Sequence, residues 1–255
     1  MRLTVLGCSG SVGGPDSPAS GYLLTAHDTP PLVIDFGGGV LGALQGHADP
    51  NKVHVLLSHL HADHCLDLPG LFVWRRYHPV PATERGIMYG PSDTWTRLAA
   101  ASAPSGGDFD DFTDIFDVRS WSDGEPVRLG GLTVLPRLVT HPVESFGLRI
   151  TDPEGATLVY SGDTGACEAL VELARDADIF LCEASWTDSP DRPPHLHLSG
   201  TEAGQAAQRA GVGELLLTHI PPWTSREDVI NEAAAEFDGP VRAVVAGEVV
   251  DIPAG

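Results

Sequence analysis

The sequence predicts an α/β protein: two β-sheets packed face to face, with helices on the outside. Two observations carry that prediction. Short apolar runs of strand composition, bounded by Gly, Pro, Asn and Asp, crowd the early half of the chain, whereas the later half alternates strands with helical segments. No internal repeat, linker or low-complexity tract divides the 255 residues, a length that suits one large domain over residues 1–255.

Arg2 to Leu6 reads as the first strand, followed by a glycine-rich loop from Gly7 to Pro15. That loop lacks the Gly-Lys-Ser/Thr of a phosphate-cradling Walker sequence, so it is either the rim of a pocket or a structural turn. Gly21–Thr25 and Leu32–Phe36 form a hairpin pair, and Gly37-Gly38-Gly39 opens a short helix ending at Leu44. Val53–Leu57 is a strand that runs into a tight loop. Asp67–Tyr77 has the apolar face of a helix, Ile87–Gly90 is a short strand, and a helix capped by Ser92 or Asp93 extends to Ala101. Residues 102–114, rich in Ser, Gly, Pro and Asp, are the least structured stretch, a surface loop or a mobile flap.

Val127–Thr140 is a hairpin turning at Gly130-Gly131, and Ser145–Thr151 and Ala156–Tyr160 are further strands. A helix over Ala166–Ala177 precedes the buried strand Ile179–Cys182. Ser199 caps a helix to Ala210, with Glu202 three residues on completing a capping box. Glu214–Thr218 is a strand, Thr224 caps a helix through Phe237, and Val241–Ile252 closes the chain as strands.

Composition narrows the function. No apolar run approaches the ~20 residues of a membrane-spanning helix, and Met1 to Leu6 enters a strand without the apolar segment or cleavage site of a secretory signal. The expectation is a cytoplasmic protein with no membrane association. Cys8, Cys65, Cys167 and Cys182 are widely spaced, which is neither a disulfide framework nor a zinc-finger pattern. Cys65 follows a cluster of histidines and could act as a ligand, but a small buried hydrophobe is the better reading. The formal charge of −20, from 35 acidic against 15 basic residues, opposes binding of a long polyanion, which depends on neutralising phosphates. Lys52 is the only lysine, and Arg75-Arg76 beside Tyr77 make too small a basic patch to compensate.

The residues that carry chemistry stand directly after the strand Val53–Leu57. Ser58-His59-Leu60-His61-Ala62-Asp63-His64 places three histidines and one aspartate within six residues. Imidazole and carboxylate suit Zn²⁺ and its first-row neighbours, so this run reads as a metal site rather than a histidine-rich turn. His141, Asp163 and His219 each stand beyond another expected strand, where loops at one sheet edge can converge. Taken alone, His141 or His219 would be an ordinary core or surface histidine; beside the cluster they read as ligands. The assignment is His59, His61, His141 and Asp163 around one ion, and Asp63, His64, His219 and Asp163 around a second, with Asp163 bridging.

His59-x-His61-x-Asp63-His64, then His141, Asp163 within Ser-Gly-Asp-Thr, and His219 resemble the signature of the metallo-β-lactamase superfamily, over nearly the whole chain. The resemblance implies an αββα sandwich with a dinuclear, usually zinc, hydrolytic site at one edge; manganese is the other candidate. It does not specify substrate, since the superfamily includes lactamases, lactonases, thioesterases, ribonuclease Z and phosphodiesterases. Leu181-Cys182-Glu183-Ala184-Ser185 and His197-Leu198-Ser199-Gly200-Thr201 resemble motifs of the ribonuclease Z and phosphodiesterase branch. There the histidine contacts the scissile phosphate and the glutamate orients it. Glu183 would keep His197 cationic and able to protonate a departing alkoxide. His195 lies nearby, but His197 matches the motif.

The segments Val5 to Ser11, Val33 to Gly39, Leu196 to Gly204 and Thr218 to Thr224 resemble most an actinobacterial group of atypical class II cyclic-AMP phosphodiesterases. Ordinary class II enzymes carry Leu before the motif's Asp, where this chain has Ala62. The resemblance implies hydrolysis of 3′,5′-cyclic AMP to 5′-AMP by a hydroxide held between two metal ions. Asp63, Glu183 and His197 are the catalytic residues, and the substrate is a small phosphodiester rather than a nucleic acid. The alternatives are ribonuclease Z-like cleavage of tRNA, lactone or thioester hydrolysis, and a non-catalytic nucleotide-binding regulator. Whether the chain forms a homodimer is left open. Phe146, Trp186 and Trp223 are candidates for stacking on a base, although core packing is the commoner fate of any one aromatic.

Overall fold

The structure, a computed structural model, describes residues 1–253. Its first sheet contains β1 (Arg2–Gly7), β2 (Gly21–Thr25), β3 (Leu32–Ile34), β4 (His54–Leu56), β5 (Gly86–Gly90) and β6 (Phe116–Ser120). The last strand, β14 (Val249–Asp251), returns to this sheet and pairs antiparallel with β1. The second sheet contains β7 (Val127–Leu129), β8 (Leu132–Leu138), β9 (Phe146–Thr151), β10 (Thr157–Tyr160), β11 (Ile179–Glu183), β12 (Glu214–Thr218) and β13 (Val241–Ala243). Spatial order is β14-β1-β2-β3-β4-β5-β6 in one sheet and β13-β12-β11-β10-β9-β8-β7 in the other. Both are mixed: β3 to β6 run parallel, as do β10 to β13, while the remaining pairs are antiparallel.

Side-chain alternation explains the layering. In β2, Tyr22 and Leu24 face the second sheet while Leu23 faces outward; in β10, Leu158 and Tyr160 point inward and Val159 outward. Because both faces of each sheet are covered, these strands read as unbroken apolar runs. The inter-sheet core joins Leu3, Val5, Leu56, Phe146, Leu148, Ile150 and Leu216. Outside the first sheet lie α1 (Val40–Leu44), α2 (Ala62–Cys65), α3 (Leu68–Tyr77) and α4 (Thr94–Ala101), over a core that includes Val33, Val55, Phe72 and Leu98. Outside the second lie α5 (Glu168–Ala174), α6 (Gly200–Ala210) and α7 (Arg226–Glu236), over Phe180, Leu215, Ala203 and Val229. This is the expected αββα sandwich.

Several local expectations need correction. The tight loop after β4 contains a one-turn helix, α2, with His61 at its N-cap. Asp93 stands at the N-cap of α4 without a side-chain cap, and Ser92 bonds Glu144 instead. The cap of α7 is Ser225, whose hydroxyl accepts from the Asp228 amide, and not Thr224. Thr224 is drawn away by a 3.0 Å bond to the Ser185 carbonyl. The helix expected over Ala166–Ala177 is confined to Glu168–Ala174. Between residues 102 and 114, Asp110 and Asp114 hold the Arg76 guanidinium at 2.9 and 2.7 Å, tethering this loop to α3. Arg75 is buried on the carbonyls of Pro50, Asn51 and Glu84, so neither arginine contributes to a basic surface.

The cap of α6 is as expected. The Ser199 hydroxyl accepts from the Glu202 amide at 3.2 Å, and the Glu202 carboxylate accepts from the Ser199 amide at 3.0 Å. Ser199→Ala should lower the unfolding free energy by ~1 kcal/mol, read as a shift in the urea midpoint at unchanged slope. A shift no larger than that of an exposed substitution would deny the cap this role.

Candidate metal centre

The site forms where the carboxyl ends of parallel strands meet, the usual place for ligands in open α/β sheets. Asp35 follows β3, His59 follows β4, Asp163 follows β10, Glu183 ends β11 and His219 follows β12. His141 arrives from the end of β8. No two of these strand ends carry their groups alone; the two sheets bring them to a common edge.

The structure brings the seven expected ligands together as two sets sharing Asp163. His59, His61, His141 and Asp163 form one; Asp63, His64, Asp163 and His219 form the other, with the candidate ligand atoms of each within 4.8 Å of one another. His141 Nε2 lies 3.2 Å from His61 Nδ1, and His59 Nε2 lies 3.6 Å from Asp163 Oδ2. In the second set, His64 Nε2 is 3.2 Å from His219 Nε2 and 3.3 Å from Asp163 Oδ2, while His219 Nε2 is 3.1 Å from Asp63 Oδ2. Four ligands placed tetrahedrally ~2.1 Å from an ion stand about 3.4 Å apart. These spacings fit that geometry.

The protonation pattern supports the same conclusion. The Leu196 carbonyl can only accept, so at 2.9 Å it fixes the proton of His141 on Nδ1 and frees Nε2. His64 Nδ1 donates to Asp35 at 2.8 Å, His59 Nδ1 donates to the Ser58 hydroxyl at 3.0 Å, and His219 Nδ1 donates to the Ser185 hydroxyl at 2.8 Å. In its neutral form each ring turns a lone-pair nitrogen toward the centre; without an ion His64 is instead held charged, since burial opposes its charge but Asp163 and Asp35 outweigh it. Facing lone pairs repel unless a proton or cation lies between them. His59 Nε2 and Asp163 Oδ1 are buried with no hydrogen-bond partner among the described residues, the condition of groups built to meet an ion. A divalent metal fits this donor set.

Electrostatics follow from burial and mutual contact. Burial holds His59 well below its ordinary value and His141 down to about 4, so both favour the neutral, ligating form. Burial opposes ionisation of Asp63 and Asp163, but the surrounding imidazoles outweigh it and hold both carboxyls below the ordinary range. Cys65 is buried, with its thiol pushed up to about 11 by that burial; it remains a small core hydrophobe.

Glu183 and His197 meet beside the ligands. A parallel bridge between Trp186 and Ser199 holds their two segments together, and His197 Nδ1 donates to Glu183 Oε1 at 3.0 Å. Glu183 is wholly buried; it also accepts from the Thr164 amide at 2.7 Å and from the Ser185 hydroxyl at 3.0 Å. Burial disfavours the charged imidazole, yet the Glu183 carboxylate prevails and pushes His197 up to about 9. The His197 ring lies 5.3 Å from the His219 ring and 5.6 Å from that of His141, next to both ligand sets. His195 is an exposed loop residue at positive φ and takes no part.

Four supporting residues escaped the sequence reading: Asp35, Ser58, Tyr160 and Ser185. Buried Asp35 accepts from the Ser58 amide at 2.7 Å and from the Ser58 hydroxyl, the Tyr160 hydroxyl and His64, each at 2.8 Å. Ser185 joins Glu183 to His219 through one hydroxyl. Asp35 follows an apolar strand just as His59 does, so the same strand-end rule could have found it. The glycine-rich loop both packs on the site and rims a small pocket: a Cβ on Gly10 would stand 2.2 Å from the His219 carbonyl oxygen, while Ser9, Gly14 and Pro15 line a cavity beside Pro221 and Pro222. Gly37, after β3, is equally confined, its Cβ position lying 1.9 Å from the Asp63 carbonyl oxygen. Of the three aromatics, Phe146 is in the core, Trp186 meets His197 edge-on, and Trp223 is 67% exposed.

Comparison with known proteins agrees with this geometry. A β-lactamase superfamily domain matches residues 34–220. A Mycobacterium leprae protein is 77% identical over all of this chain and 89% of its own length. The probable metallo-hydrolase YhfI of Bacillus subtilis is 29% identical over 97% of this chain and 98% of its own. Its crystal structure superposes with a TM-score of 0.87 at 27% identity, covering 98% of each chain. Ribonuclease Z of Myxococcus xanthus is 26% identical over 99% of this chain and 98% of its own.

Proposed function

This chain belongs to the β-lactamase superfamily, and from that premise we propose that it is a metal-dependent phosphodiesterase converting 3′,5′-cyclic AMP to 5′-AMP. The observation that carries the reading is the Glu183–His197 pair, a cationic imidazole kept charged beside two sets of metal ligands. A lactone or thioester hydrolase has less use for such a group. A phosphodiester whose leaving group is a sugar oxygen needs a proton delivered to that oxygen.

His59, His61, His141 and Asp163 would hold one divalent ion, and Asp63, His64, Asp163 and His219 the other, with zinc favoured by the donor chemistry and manganese next. Bound there, the ions would supply positive charge that acidifies water and offsets the charge gathering on the phosphoryl oxygens. The chain's own residues do the rest. Asp63, part-exposed at the rim, accepts a hydrogen bond from the attacking water and aims it at phosphorus. As the new P–O bond forms, the bond to the 3′ oxygen breaks. His197, with Nδ1 engaged by Glu183, gives the proton of Nε2 to that oxygen. Ser185 joins His219 to Glu183 through one hydroxyl, so a ligand and the partner of the proton donor share one hydrogen-bond network.

Cleavage of tRNA would employ the same pair, but a net charge of −20 with one lysine opposes a long polyanion. The deciding experiment offers the metal-loaded protein 3′,5′-cyclic AMP, 2′,3′-cyclic nucleotides, bis-p-nitrophenyl phosphate, a lactone and a precursor tRNA. Selective formation of 5′-AMP, abolished by Asp63→Ala, is expected. Lactone cleavage with silence on every phosphate ester would overturn the reading, and salt-sensitive cleavage of the tRNA would replace it.

A further inference from the structure

An open cavity of about 480 Å³ adjoins Trp186, whose ring also meets His197, and its volume is within the ~300–1,000 Å³ usual for small-molecule sites. Its wall includes two of the chain's five tryptophans, Trp186 and Trp223. Neither is a core residue: Trp223 is 67% exposed and Trp186 is part-exposed. The Trp186 ring meets the His197 ring edge-on with centroids 5.3 Å apart, so the cavity and the proton donor share a wall. Thr224, also in the lining, is bonded to the Ser185 carbonyl, and the Ser185 hydroxyl carries His219. Two lining residues thus connect the cavity to the site, Trp186 through the His197 ring and Thr224 through Ser185.

Its chemistry selects a ligand class. Besides the two indoles, the lining offers Thr187 and the carboxylates of Asp191 and Asp228. Among the described residues Arg192 is the single cation in the lining, and it is already engaged, with Glu202 at 2.8 Å, Asp188 at 2.7 Å and the Trp186 ring 5.9 Å away. A second phosphate would meet carboxylates with no free cation to offset them. A flat heteroaromatic ring would cover an exposed indole and offer its exocyclic amine to a carboxylate.

We propose that Trp186 and Trp223, with Asp191 and Asp228 at the rim, form the subsite for the amino-substituted base of the substrate, adenine in the reading above, on which this assignment rests. The base lies in the cavity, and the cyclic phosphate is directed past Trp186 toward His197. Trp223 and the two aspartates set specificity, while Trp186 also positions His197.

Trp223→Ala is the informative variant, because an exposed side chain can be removed without harm to the core. With the metal-loaded enzyme, its KM for 3′,5′-cyclic AMP should rise roughly tenfold or more, with kcat little changed. Kinetics on ribose 3′,5′-cyclic phosphate, which lacks a base, should not move. Adenosine should quench the tryptophan fluorescence of the native protein and not that of Trp223→Ala. Asp228→Asn should narrow the preference for adenosine over inosine, which has no amine. An unchanged KM in Trp223→Ala, with cyclic AMP still hydrolysed, would overturn the subsite and leave the proposed activity standing. Quenching by adenosine that depends on Trp223, in a protein that cleaves no cyclic nucleotide, would uphold the subsite and remove the proposed activity.

Discussion

His197→Ala is expected to lower kcat on 3′,5′-cyclic AMP by ~10²–10⁴-fold, the usual worth of a positioned general acid, while metal content stays at the native level. His197 belongs to neither four-residue ligand set; it groups instead with Glu183 and His219, and its Nδ1 is committed to Glu183. Its loss therefore removes a proton and not a coordination bond. A leaving group that needs no proton separates this role from a structural one. On bis-p-nitrophenyl phosphate the same variant should retain far more of its rate, because p-nitrophenolate departs unassisted. Glu183→Gln should follow the same pattern more mildly: the imidazole keeps a partner but loses the charge that favours its cationic form. Equal losses on both substrates, or metal lost in proportion to activity, would show that His197 supports the site and does not protonate.

Asp35→Ala should destabilise the protein far more than Ser199→Ala or Tyr160→Phe. The carboxylate is wholly buried and receives two hydrogen bonds from Ser58, one from Tyr160 and one from His64. Removing it leaves those donors facing a void, and breaking such a buried charged network costs about 3–5 kcal/mol. Tyr160→Phe deletes one hydroxyl from the same network and should cost only about 1 kcal/mol. Urea unfolding of the metal-free proteins compares the two directly. Metal titration should show a further ~10–100-fold loss of affinity in Asp35→Asn, because His64 is no longer held in the ligating tautomer. If Asp35→Ala and Tyr160→Phe shift the midpoint equally, the network is not centred on Asp35.

The sequence announced the ligands and concealed what orients them, for a physical reason. His59, His61, Asp63 and His64 lie within six residues, and chance rarely groups such side chains, so local spacing alone reveals them. His141, Asp163 and His219 are legible because each stands beyond a strand: Asp163 and His219 follow β10 and β12, which run parallel to β11 and end on one edge, and His141 follows the antiparallel β8. Asp35 and Tyr160 are 125 residues apart in sequence and meet only through the packing of the two sheets. Nothing in either local sequence marks that meeting. Helix limits failed for a related reason. Thr224 and Ser225 are chemically equivalent as caps, and a tertiary bond from Thr224 to the Ser185 carbonyl decides between them. The strand β6 was missed because Phe116–Ser120 is largely polar and lies at the sheet edge, where few apolar residues are needed.

Each ligand set takes half of its members from either side of the sandwich. His59 and His61, or Asp63 and His64, come from the loop after β4 in the first sheet; His141, Asp163 and His219 come from the second. An ion bound in either set is therefore a clasp between the sheets, and its binding is thermodynamically linked to their docking. Neither half of the chain can hold the metal alone. Loosening the apolar seam between the sheets weakens metal affinity once the opened form is populated, and each tenfold rise in free metal above its dissociation constant returns about 1.4 kcal/mol to the closed sandwich. A substitution deep in the seam, at Leu56 or Leu148, can thus silence the site without touching it.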